Sequence, residues 1–166
     1  LEAAKQALVE AATVEEKAKL KADTALLTKA DETGKTPDSI AAYERKYEEL
    51  KTKLEEVKAE AEKVLAKENN ATKEEVKAAQ AKVEAVKTEL ENAKTLLVEA
   101  ATAEEKAKLK ADADSLAKAD VTGKTPESIK EYEAEYEKLK AQLEEAKAEA
   151  AAVEAKGDNA TKAEAQ

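Results

Sequence analysis

The chain has 166 residues and a net charge of −9, with 40% of its residues charged and no His, Cys, Met, Trp or Phe. The missing histidine and cysteine remove the commonest acid–base group, the thiolate nucleophile and the two strongest transition-metal ligands. No catalytic, cofactor-binding or metal-binding residue is therefore assigned, and an enzyme is not expected. Lysines alternate with glutamates along the chain, so no concentrated positive surface is available to neutralise phosphates, which argues against nucleic acid as a partner. No run of 18 or more apolar residues occurs, so membrane insertion is not expected. The hydrophobic fraction is 42% but rich in alanine, which implies a thin core. Ala, Leu, Glu and Lys lose least on entering a helix, and the expected fold class is all-α.

The chain is a duplication. Residues 9–77 align without gaps with residues 98–166 at a shift of 89, with 46 of 69 positions identical. The division expected on this basis is 1–12 as the end of a preceding unit's helix, 13–101 as one repeat, and 102–166 as a second, incomplete one.

Within a repeat, Thr13 and Glu16 have capping-box spacing, in which the hydroxyl and the carboxylate three residues on satisfy each other's backbone amides. This predicts a short helix over about 14–31. Gly34 suits a left-handed helix end, Thr36 an N-cap and Pro37 a first helical position, so the next helix is expected over 37–68. From Ile40 its apolar positions run Tyr43, Tyr47, Leu50, Leu54, Val57, Ala61 and Val64, in the alternating steps of three and four that form a heptad seam.

Asn69 and Asn70 close that helix, and Thr72 with Glu75 opens a third over 73–100 whose seam is Val76, Ala79, Val83, Val86, Leu90, Ala93 and Leu97. The second copy repeats these signals, with boxes at Thr102 to Glu105 and Thr161 to Glu164. The next strong apolar position after Leu97 is Leu109, which turns the stripe by roughly 120° and marks residues 99–102 as a repeat boundary. With no Gly or Pro there, a kink and a continuous connecting helix are both open. Short loops force antiparallel neighbours, and the expected architecture is tandem antiparallel three-helix-bundle repeats, the second truncated.

Several residues suggest chemistry and are better explained without it. Gly34-Lys35-Thr36 and Gly123-Lys124-Thr125 look like the end of a phosphate-binding loop, but that motif needs a leading strand and a further glycine, and Lys29 and Lys118 stand in its place. Asn70-Ala71-Thr72 and Asn159-Ala160-Thr161 fit a glycosylation sequon and equally a helix cap. The tyrosines fall on seam positions, which favours core rings with hydroxyls at the rim. Adjacent glutamates such as Glu48-Glu49 and Glu55-Glu56 point about 100° apart on a helix and read as solvated faces.

The turn Thr36-Pro37-Asp38-Ser39-Ile40, the tyrosine and leucine spacing after it, Val64-Leu65, and Asn70-Ala71-Thr72-Lys73-Glu74-Glu75-Val76 with its Ala/Val/Leu tail resemble the FIVAR module and related three-helix repeats of Gram-positive extracellular matrix-binding proteins. The resemblance spans roughly residues 20–97 and 109–166, although the shift of 89 is longer than a typical unit of that family. It implies a cell-wall-anchored or secreted protein of streptococcal or staphylococcal type, a surface adhesin whose helical repeats act as a stalk. It also implies possible host ligands: fibronectin, fibrinogen, albumin or immunoglobulin. No family binding residue transfers to a position here.

A binding function present in both copies should use what both share, and the turn bearing Lys35, Thr36, Lys124 and Thr125 is the shared feature expected to be exposed. A contrasting reading is an intracellular coiled-coil scaffold that dimerises through the heptad seam. Turns every 30 or so residues disfavour a long parallel coil, and a monomer is expected.

Overall fold

A computed structural model describes all 166 residues. Every regular element is helical: α1 (Glu2–Gln6), α2 (Val14–Ala25), α3 (Pro37–Ala66), α4 (Lys73–Lys94), α5 (Ala103–Asp114), α6 (Pro126–Ala155) and α7 (Lys162–Ala165). Single 3-10 turns at Glu68–Asn70 and Gly157–Asn159 follow the two long helices. Equivalent elements match in length, with 12 residues in α2 and α5 and 30 in α3 and α6.

The starts of these helices are set locally. Thr13, Thr102 and Thr161 each close a full capping box, with Glu16, Glu105 and Glu164 respectively. Thr72 accepts from the Glu75 amide and Thr125 from the Ser128 amide. Pro37 and Pro126 stand at the first helical position, where a missing N–H costs nothing.

The ends differ from expectation, and the reasons are local too. α2 stops at Ala25 instead of near residue 31. Beyond it Leu27 is fully buried, and the Ala30 amide donates to the Tyr43 hydroxyl at 2.8 Å instead of to a helical carbonyl. α4 stops at Lys94, and residues 95–102 contain no helix, which corrects both the third-helix boundary near 100 and the option of a continuous connecting helix. The cause is the capping box at Thr102: an N-cap has extended backbone, here with φ −74° and ψ 161°, so no helix can run through it. The same logic at Thr13 keeps residues 8–12 out of helix, and only α1 near the N-terminus is helical.

The chain forms two compact units. Unit 1 comprises Leu1–Thr33 and Ser39–Leu97; unit 2 comprises Gly34–Asp38 and Val98–Gln166. In unit 1 the two predicted seams face inward together. Tyr43, Leu50, Leu54, Val57 and Ala61 of α3 join Val76, Ala79, Val83, Val86, Leu90 and Ala93 of α4, with Leu20 and Leu27 from α2 and the segment after it. Tyr47, Val64 and Leu97 pack at the margin of the same core.

Unit 2 has the same order of elements and a much thinner interior. Its buried apolar residues are Ala101, Ala150 and Ala160, while Leu139, the counterpart of Leu50, is 49% exposed. The reason is that α7 has four residues where α4 has 22, so α5 and α6 pack together without a long third helix over their seam.

Three glycines adopt left-handed backbone, Gly34 at φ 75°, Gly123 at φ 77° and Gly157 at φ 56°. Glu68, the counterpart of Gly157, adopts φ 51° with a side chain present. A left-handed non-glycine residue costs about 1–2 kcal/mol. Glu68→Gly is therefore expected to leave stability unchanged or raise it by up to ~1 kcal/mol, after the greater freedom of glycine in the unfolded chain is offset. Gly34→Ala, where nothing lies within 4 Å of a new Cβ, should cost about 1 kcal/mol through backbone strain alone. Urea midpoints of the two variants check both signs, and destabilisation by Glu68→Gly would contradict this account of the 3-10 turn.

Candidate interaction surface

The turns that carry Lys35, Thr36, Lys124 and Thr125 share the five residues Thr-Gly-Lys-Thr-Pro and occupy different environments. Thr36 is 3% exposed, Ser39 is buried and Lys35 is half-buried; Lys124, Thr125 and Ser128 are all exposed. The expectation of a turn exposed in both copies is thus corrected for Lys35 and Thr36.

What covers the first turn is backbone. The Thr36 amide donates to the Val98 carbonyl at 2.9 Å, and the Ala100 amide donates to the Gly34 carbonyl at 2.8 Å, an antiparallel bridge centred on Lys35 and Glu99. The Asp38 amide donates to Asn159 Oδ1 at 3.0 Å. On its other edge the same short segment pairs with the turn before α7: Ala101 donates to the Ala160 carbonyl at 2.9 Å and Lys162 to the Glu99 carbonyl at 3.0 Å. Residues 98–101 are therefore hydrogen-bonded along both edges, all within unit 2. Their copy, residues 9–12, makes only the second kind of pairing, in which Ala12 donates to Ala71 and Lys73 to Glu10, each at 2.9 Å.

Sequence reasoning missed this segment because it has no strand-like length or alternation. Two signals could have found it: Leu-Val-Glu-Ala-Ala-Thr occurs unchanged at 8–13 and 97–102, and each copy ends in a capping threonine that forbids helix before it.

No family model, curated protein or solved structure matches this chain. Its surfaces must accordingly be read on their own chemistry. Of the tyrosines, only Tyr43 is fully in the core, 1% exposed with its hydroxyl bonded to the Ala30 amide instead of reaching the rim, and the half-buried Tyr47 packs beside it with ring centroids 6.2 Å apart. Tyr132 and Tyr136 keep the same 6.2 Å separation with both rings half-exposed. Lys29 lies over the Tyr47 ring at 5.9 Å and Lys118 over Tyr136 at 5.8 Å, so the polar side of each pair is occupied by the chain's own cation.

The charged faces are laced by short ion pairs. Lys19 meets Glu84 at 2.7 Å and Asp23 at 3.2 Å, and Gln80 donates to the same Asp23 carboxylate, which ties α2 to α4. The Gln80 bond, followed by Lys19 and Lys87, holds the Asp23 carboxyl below its usual range, and Lys19 and Gln80 do the same for Glu84. Glu16 is lowered by the Thr13 backbone and hydroxyl of its capping box.

Each of these carboxyls is depressed on folding, so the folded chain binds fewer protons than the unfolded one at acid pH. Their stabilisation is complete above the ordinary carboxylate pKa and is lost as pH falls through the lowered one. The urea midpoint of unit 1 should then be level from roughly pH 5 to neutrality and decline below about pH 4. Asp23→Asn should flatten part of that decline. An unchanged acid limb in this variant would remove Asp23 from the account.

Proposed function

We propose that this chain is a non-enzymatic segment of tandem antiparallel three-helix repeats from a Gram-positive surface adhesin, cell-wall anchored or secreted, in which the repeats act as stalk and spacer. The observation that supports this reading most is the gapless repetition of 46 in 69 residues together with helices of equal length in both copies. Helices of about 30 residues span roughly 45 Å, so repetition of such units adds length without disulfides or metal. A surface of alternating Lys and Glu keeps such repeats hydrated. Host matrix or plasma proteins such as fibronectin, fibrinogen, albumin or immunoglobulin are the ligands proposed, and Lys124 and Thr125 are the binding residues that remain accessible.

Interferometry of the immobilised chain against those proteins and collagen tests the adhesive part. Binding that Lys124→Glu abolishes and Lys35→Glu leaves intact is the expected pattern, since Lys35 sits in the covered turn. Silence across the panel would restrict the proposal to spacing. Sedimentation tests the rest: a monomer at micromolar concentration is expected, and a tight dimer joined through the seam would favour the intracellular coiled-coil scaffold.

A further inference from the structure

We infer that a cleft in unit 1, between the segment after α2 and the C-terminal half of α4, binds a small aliphatic carboxylate. The cleft has a volume of about 210 Å³, with Tyr43 at its floor, Leu26 contributed by the segment after α2, and Lys87, Leu90, Glu91 and Lys94 contributed by α4. Its walls all belong to unit 1, and they stand away from residues 9–11. At about 1.5 Å per residue, Lys87 is roughly 20 Å along α4 from Lys73, whose amide pairs with Glu10.

Two features of the wall select the ligand. The first is a buried donor without an acceptor. The Tyr43 oxygen accepts from the Ala30 amide at 2.8 Å, which fixes the ring and leaves its O–H proton with no acceptor in the chain. The side chain is 1% exposed, so that proton is satisfied only by something seated in the cleft.

The second feature is unspent positive charge. Lys94 takes part in no ion pair, and Lys87 reaches only Asp23, at the long distance of 3.9 Å. Glu91 lies one turn from each of them and pairs with neither, so the wall carries two ammonium groups against one carboxylate. The end of α4 does not reverse this balance. Its last carbonyls, those of Asn92, Ala93 and Lys94, are taken up by the amides of Thr95, Leu96 and Leu97.

An acceptor for the tyrosine, a negative charge for the lysines and an alkyl chain for Leu26 and Leu90 together describe a short monocarboxylate. At ~30 Å³ per water-sized group, the cleft holds about seven heavy atoms, the size of pentanoate. A ligand so small binds weakly, with dissociation in the millimolar range. The site is independent of adhesion through Lys124 and Thr125, which belong to unit 2.

Two-dimensional NMR of the full isotopically labelled chain, titrated with sodium pentanoate to ~50 mM, tests the inference. Shifts are expected to saturate and to centre on the amides of residues 26–30 and 87–94, with Ala30 among the largest because it is bonded to the tyrosine oxygen. Pentylammonium chloride, which carries the same chain with the opposite charge, should give no saturating shift there. Lys94→Gln, at an exposed position, should raise the dissociation constant about threefold. Tyr43→Phe, which keeps the ring and removes the donor, should raise it about tenfold. Circular dichroism verifies that both variants are folded. Shifts that rise without saturating, that pentylammonium reproduces, or that either variant leaves unchanged overturn the proposal.

Discussion

Tyr43→Ala is expected to destabilise unit 1 by about 3–5 kcal/mol, enough to consume much of the stability of a small helical domain. Tyr43 is 1% exposed and is the largest of the fully buried side chains, so its removal leaves a cavity in a core of leucines, valines and alanines that relaxes only partly around it. Tyr43→Phe separates the ring from its hydroxyl. The ring would still fill the core, but the Ala30 amide would lose its acceptor, at a cost of about 1–2 kcal/mol.

The second copy is the control. Tyr132 makes the same bond, to the Ala119 amide at 2.7 Å, yet its ring is half-exposed and the amide can turn to water, so Tyr132→Ala should cost less than half as much. Urea denaturation of the three variants measures these differences. Equal losses at the two sites would show that burial does not separate the copies as described.

The second large effect concerns hydrogen exchange. α3 places Tyr43, Leu50, Leu54, Val57 and Ala61 in a closed core; α6 has Ala150 as its one buried residue. Burial of a leucine or tyrosine contributes about 1.5–3 kcal/mol relative to exposure, and three such positions are only partly covered in α6. Backbone amides midway along α3 should therefore exchange more slowly than their counterparts in α6 by ~3 kcal/mol of opening energy, roughly a hundredfold. Two helices of equal length and like composition make the comparison clean. Indistinguishable protection would mean that α6 is stabilised by something other than its seam.

Much of this fold was legible in the sequence, and particular residues show why. The heptad positions from Tyr43 to Ala61, apart from the half-buried Tyr47, and from Val76 to Ala93 are buried, because a thin core leaves helix phase as the only way to gather apolar surface. Gly34, Pro37 and the threonine boxes placed the helix starts, because these devices act within four residues of themselves.

Helix ends were less legible. Ala25 is followed by Leu26 and Leu27, which would continue a helix by propensity; the chain leaves it because Leu27 and the Ala30 amide find tertiary partners in the core and at Tyr43. The candidate turn was legible as a motif and not in its surroundings. Nothing in Thr-Gly-Lys-Thr-Pro distinguishes its first occurrence from its second, since the difference is whether a distant segment lies against it.

The tyrosine pairs also have a spectroscopic use. They are the only aromatics, one pair in each unit with ring centroids 6.2 Å apart in both, and no tryptophan is present to draw off their excitation. Iodide or acrylamide reaches the half-exposed rings of Tyr47, Tyr132 and Tyr136, while the shielded ring of Tyr43 keeps emitting. The emission that survives the quencher thus reports on the core of unit 1, whose melting can be followed without any label.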